Sequence, residues 1–283
     1  MFARKVGIAR NSDEPKILFV GGSSVDLGIS AEIATAELNR TAVNFGLISP
    51  LGPEYILSKT KEVAVKGDFI VLALEYYCFD WTGSSRLWVD PLFVTYVVAE
   101  DPKYLLNLPR WDQLHILARV TPRHIATALL RRPPSSSSSI PMMNSFGDRT
   151  DNTPEARPWL AASSMKPIDQ LVSGFSGNQR GFSVVSEFLE WARLNGVTVT
   201  ATFPNVCRNP DYRPEVLAQV EDRICGFYES LDVPVVGTLT GAMVAEEDCF
   251  DGPLHLLRDA VERRTRRLTK EIAEQFPSEF PRP

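Results

Sequence analysis

Short apolar runs alternating with helix-period segments constrain this chain more than any other feature. Ile17-Leu18-Phe19-Val20 stops at Gly21-Gly22, and Ala42-Val43-Asn44-Phe45 stops at Gly46. Phe69–Leu74 is apolar throughout, Val197–Phe203 is rich in β-branched residues, and Pro234-Val235-Val236-Gly237 closes the series. Runs this short and apolar read as strands covered on both faces. Between them lie helical patterns. Ser30 caps AEIATAELNR, Pro53 opens a segment that Gly67 closes, and Val185, Phe188, Leu189 and Ala192 mark a third that ends at Asn195-Gly196. A fourth runs from Pro214 to Leu231, and Pro253 opens the last, with Leu254, Leu257, Val261, Leu268 and Ile272 on its buried face. Strand-helix alternation of this kind implies an α/β protein: a three-layer α/β/α, flavodoxin-like, doubly wound sheet of five parallel strands.

The alternation breaks after the third strand. Residues 79–181 read as an insertion within a single domain spanning 1–283, with Pro133-Pro134 and Ser135–Ser139 inside it. Low complexity makes about 132–158 a flexible stretch, and a lid over the sheet's crevice is one use for it. With 283 residues the chain builds its own core, and a net charge of −5 argues against a nucleic-acid binder. The start MFARKVGIARNSDEPK lacks the apolar stretch of a signal peptide, and the longest apolar runs, Phe69–Leu74 and Leu92–Ala99, are too short to span a bilayer. The expectation is a soluble, cytoplasmic chain, unless an anchor or export signal has been removed. Cys78, Cys207, Cys225 and Cys249 form no CxxC pair and read as buried free thiols. Neither a P-loop lysine nor GxGxxG is present, so no cofactor and no metal are expected.

In a doubly wound sheet the ligand crevice lies beyond the carboxyl ends of the strands. That rule gathers Gly21–Ser24, Gly46, Glu75–Tyr77, Asn205 and Asp248–His255 around one rim. Ser23, at a strand-to-helix turn flanked by glycine, is placed to present its hydroxyl near backbone N–H groups; a capping serine in a βα loop is the structural alternative. A serine nucleophile needs a base. His255 shares the rim, with Asp251 four residues earlier to fix its tautomer, although an N-cap and a first-turn residue would use the same two side chains. His115 and His124 lie in the insert and read as packing or surface residues. Arg263-Arg264 and Arg266-Arg267 read as the solvated face of the last helix, with anionic glycan or membrane contact as the alternative.

Together the segments GGSSVDLGIS, AVNFGL, KGDFIVLALEYYCF, VTVTATFPNVC and CFDGPLHLLRDAVERRTRRL resemble the SGNH hydrolase superfamily of GDSL-like esterases and acyltransferases. The wording is most similar to bacterial SGNH-like proteins of cell-surface polysaccharide modification, over about residues 16–78 and 182–275. The resemblance implies a Ser23-His255-Asp251 triad that works through an acyl-enzyme, with the oxyanion held by the amides of Ser23 and Gly46. Its departures are specific. Gly22 stands where the family has Asp, Asp precedes His by four residues instead of three, and Glu75 occupies the place of the family's oxyanion Asn. Asn178 or Asn205 would have to supply that amide, or else serve as turn residues. Glu75, Tyr76 and Tyr77 are candidate substrate contacts, Glu75 reading equally as a structural carboxylate that accepts N–H bonds. The aromatics Tyr76, Tyr77, Phe79, Trp81 and Trp88 suit either sugar stacking or core packing. Ser24 is the alternative nucleophile. The expected activity is hydrolysis or O-acyl transfer on acyl, above all acetyl, esters of small molecules or carbohydrates. The alternative is a non-catalytic module that binds a glycan or protein through the same crevice.

Overall fold

The computed structural model describes residues 2–11, 14–82, 93, 96–97, 101–122, 142–158, 165–175 and 180–281. Five parallel strands form the central sheet: β1 (Ile17–Gly21), β2 (Ala42–Gly46), β3 (Phe69–Ala73), β4 (Thr198–Thr202) and, beyond a two-residue strand β5 (Val206–Cys207), β6 (Val235–Val236). Their order is β2-β1-β3-β4-β6, the doubly wound order expected from the alternation. Because neighbouring side chains point to opposite faces, each strand feeds two cores. Leu18, Val20, Ile70 and Leu72 join one cluster, packed with Tyr55 and Ile56 of α4 (Gly52–Lys61) and Val185 and Phe188 of α8 (Arg180–Leu194). Ile17, Phe19, Phe69 and Val71 join the other, against Ala34 and Leu38 of α3 (Ala31–Leu38) and Leu268 and Ile272 of α10 (Arg258–Gln275). Layers of helix, sheet and helix follow.

In register, Gly21 lies beside Gly46 on β2 and Ala73 on β3, so three strands end level on one rim. From that rim start the four-residue α2 (Ser23–Asp26), the β2–α4 connection and the tight 3₁₀ turn Tyr76–Asp80. The other helices among the described residues are α1 (Phe2–Arg10), α5 (Pro102–Asn107), α6 (Arg110–Leu117), α7 (Asp169–Ser173) and the longer α9 (Pro214–Glu229), with strand β7 (Met243–Val244) pairing parallel to β5. Among the described residues no helix is long and apolar enough to cross a membrane.

Two features depart from the sequence expectations. The flexible stretch placed at 132–158 is tied down from residue 142 onward. Phe146 accepts the N–H of Asn44 at 2.9 Å, which covers the edge of β2. Asp148 accepts from the amides of Ala31 and Glu32 and from the Ser30 hydroxyl, satisfying the orphan N–H groups of α3 that Ser30 also caps. Asn144 accepts from the amides of Phe146 and Asp148, which sets the local turn. Ser135–Ser139 lie outside the described residues. The last helix begins at Arg258, five residues after Pro253. Residues 249–256 fold back on themselves instead, with Phe250 N–H on the His255 carbonyl, His255 N–H on the Gly252 carbonyl and a bridge between Cys249 and Leu256.

Candidate active site

The turn after β1 is organised by a buried carboxylate. Glu75, just past β3, is 0% exposed; one oxygen accepts the Gly22 N–H at 3.0 Å and the other the Ser24 N–H at 3.0 Å and hydroxyl at 2.8 Å. Strand β3 thereby fixes the turn that starts α2. The same contact explains Gly22. A Cβ there would come within 2.4 Å of Glu75 Oε1, so neither the bulk nor the charge of an Asp fits beside this glutamate. Ser24, the alternative nucleophile, is buried and gives its hydroxyl to Glu75, whereas Ser23 is more exposed. Ser23, the first residue of α2, is half-buried.

A second buried hub lies under α2. Asn44, a polar residue in mid-strand, donates to the carbonyls of Val25 at 3.0 Å and Ile29 at 2.9 Å, and its oxygen accepts from Lys5 Nζ and Gly46 N–H, each at 3.0 Å. The oxyanion donor expected of Gly46 is therefore already used inside the protein. Gly46 is glycine for a packing reason, since a Cβ would lie 2.2 Å from the Asp26 amide nitrogen. Lys5, brought in by α1, also pairs with Asp26 at 2.6 Å, and Arg149 Nη1 reaches the other Asp26 oxygen at 3.2 Å. Burial lowers the Lys5 ammonium, with Asp26 opposing the shift.

His255 and Asp251 form the expected pair. Nδ1 lies 2.5 Å from Asp251 Oδ1, the side chains being 24% and 38% exposed. With the proton on Nδ1, Nε2 is the nitrogen left to accept a proton. Burial works against ionisation of Asp251, but the hydrogen bond and charge of His255, helped by Arg149, hold its carboxyl below the ordinary Asp range. Stability from this pair is therefore complete above that range and is lost as pH falls through the depressed folded value. The loop is pinned to the β1 turn: Leu256 N–H donates to the carbonyl of Leu27, just past α2, at 3.1 Å. Asn205 Nδ2 holds the Leu254 carbonyl at 2.6 Å, and Asn152 Nδ2 the Leu256 carbonyl at 2.9 Å. Asn205 is fully buried and positions the histidine loop, which leaves it no access to substrate.

Of the remaining expected contacts, Tyr76 is buried with its hydroxyl on the Pro204 carbonyl at 3.2 Å, Tyr77 keeps a partly exposed ring, and Phe79 packs among Phe175, Phe182, Phe227 and Tyr228. Core packing thus accounts for Tyr76 and Phe79. Asn178, His124 and Trp88 lie outside the described residues, and His115 is a partly exposed residue of α6. The sequence reading missed Asn44, Lys5, Asp26 and Arg149. Asn44 alone left a signal, as an amide inside an apolar run.

Two cysteines are not free. Cys207 and Cys249 are disulfide-bonded, while Cys78 and Cys225 remain thiols. Cys207 lies on β5 and Cys249 beyond the end of β7, the strand that β5 pairs with, a proximity that spacing along the chain does not reveal. The bridge staples the loop carrying Asp251 and His255 to the segment following Asn205. Closing a separation of 42 residues, it should contribute about 4 kcal/mol through the unfolded chain's lost entropy. Urea unfolding of Cys207→Ser/Cys249→Ser beside wild type checks this: a clear drop in midpoint is expected, and an unchanged midpoint would assign the bridge no stabilising part.

No protein-family model matches the chain, and no curated protein matches it, so the reading of this rim rests on its residues and geometry.

Proposed function

We propose that the chain is a serine-dependent ester hydrolase or O-acyltransferase of the SGNH type, acting on acyl, above all acetyl, esters of small molecules or carbohydrates. The observation that carries this reading is the Asp251–His255 pair on a loop hydrogen-bonded to the end of the helix that Ser23 begins. Ser23 Oγ attacks the ester carbonyl while His255 Nε2 takes its proton. The tetrahedral intermediate collapses, His255 returns the proton to the leaving alcohol, and the acyl group stays on Ser23 as an ester. Water or an acceptor alcohol, deprotonated by the same imidazole, then releases the acyl group. Asp251 keeps the proton on Nδ1 and stabilises the imidazolium. The Ser23 amide serves the oxyanion. The Gly46 amide is engaged by Asn44, and Glu75 offers no donor while ionised, so turnover should be slow; each absent donor costs about 100- to 1000-fold.

The same two facts favour a second reading, a non-catalytic module that uses the rim to bind a glycan or protein. Hydrolysis of p-nitrophenyl acetate separates them. The enzyme reading expects measurable wild-type turnover that falls by roughly a thousandfold in His255→Ala. Wild-type rates equal to buffer would leave the binding module. The Cys207–Cys249 bond also favours an oxidising compartment over the expected cytoplasm.

A further inference from the structure

Arg264 is not on the solvated face of α10, where its neighbours in sequence suggest it should be. It is 6% exposed, beneath the loop that follows β6. Its Nη2 donates to the Phe203 carbonyl at 2.8 Å, while its Nε is buried with no acceptor among the described residues. No carboxylate among the described residues lies within ion-pairing distance of it, and burial, with the nearby charge of Arg267, lowers the guanidinium to about 10 against the opposing influence of Tyr76 and Glu271. A buried cation whose nearest carboxylate, Glu271, stays beyond ion-pairing distance is costly, and the cost falls when an anion comes closer.

Space for an anion adjoins it. Thr202, Thr238, Arg264, Arg267 and Glu271 line a cavity of about 100 Å³ between the β6 loop and α10. Arg267 donates to the Gly241 carbonyl and lies 4.0 Å from Glu271. Two guanidinium groups thus face one carboxylate, a net positive lining of a size to take one small oxyanion. β6 is three strand spacings from β1, roughly 14 Å, so this cavity is separate from Ser23. We propose that it is a binding site for a phosphate-sized oxyanion, held by Arg264 and Arg267, as a free ion or as the anionic group of a larger ligand. The proposal is independent of the esterase reading.

The test is isothermal titration of inorganic phosphate into the full chain at constant ionic strength, with chloride as control, beside Arg264→Met and Arg267→Gln. Glucuronate and glucose 6-phosphate form the second arm. Saturable phosphate binding that weakens about tenfold or more in both variants is expected, since each removes charge-assisted hydrogen bonds. Ser23→Ala should bind as wild type. Tighter binding of glucose 6-phosphate than of phosphate would assign the site to an anionic sugar, and the reverse to a free ion. Arg267→Gln, which alters a half-exposed side chain, keeps the test valid if Arg264→Met fails to fold. No heat beyond the chloride control, or equal affinity in wild type and Arg267→Gln, would overturn the site and leave Arg264 a structural tie to Phe203.

Discussion

Ser23→Ala is expected to lower p-nitrophenyl acetate turnover by about a thousandfold or more, while Ser24→Ala keeps activity within about tenfold of wild type. The two serines are adjacent and chemically alike, so the contrast comes from their surroundings. Ser24 is buried and gives its hydroxyl to Glu75; removing it deletes one hydrogen bond to a carboxylate, worth about 1.5–3 kcal/mol of stability, and no reacting atom. Ser23 is half-buried at the start of α2, beside the turn to which the histidine loop is bonded. Steady-state kinetics and a thermal melt on both variants separate the effects. Loss of turnover in Ser24→Ala with a wild-type melting temperature would move the nucleophile by one residue.

The largest stability effect should come from Glu75. Glu75→Ala strands two backbone amides and a hydroxyl in a buried site, at about 3–5 kcal/mol. Gly22→Asp should be similarly damaging, because its Cβ and charge meet the same carboxylate. The double variant Gly22→Asp/Glu75→Asn exchanges this pair for the residues of the SGNH pattern, relieving the clash and replacing the carboxylate with an amide that can donate. Chemical unfolding should show it to be more stable than Gly22→Asp by about 2 kcal/mol, a strong non-additivity between touching residues. Simple additivity of the two single changes would mean that Gly22 and Glu75 are not coupled.

The strand order was legible because each apolar run ends in a turn residue and each intervening segment carries a helical period. The rim followed from topology, while the pairing of Asp251 with His255 was suggested by their spacing of four residues, which left a helix cap as the alternative. What remained hidden depends on distances that no local pattern encodes. Cys207, on β5, meets Cys249, beyond the end of β7, across a contact between segments distant in sequence. Gly46 looked like an oxyanion donor, yet its amide is claimed by Asn44 two residues earlier. Arg149 follows a low-complexity tract and looks like linker, but it binds Asp26 on α2 and Asp151 on its own segment. Arg264 shares the pattern of its exposed neighbours, and only the path of α10 against Phe203 buries it. Position 75 was the most ambiguous: a glutamate after a buried strand suits a substrate contact or a backbone clamp, and its full burial under three donors decides for the clamp.

The most direct measurement is a crystal structure of the chain after reaction with paraoxon. It should show phosphorus bonded to Ser23 Oγ, the imidazole of His255 turned toward the phosphoryl group and Asp251 still on Nδ1. An adduct on another residue, or a Ser23 hydroxyl screened from His255 by packed side chains, would contradict the account.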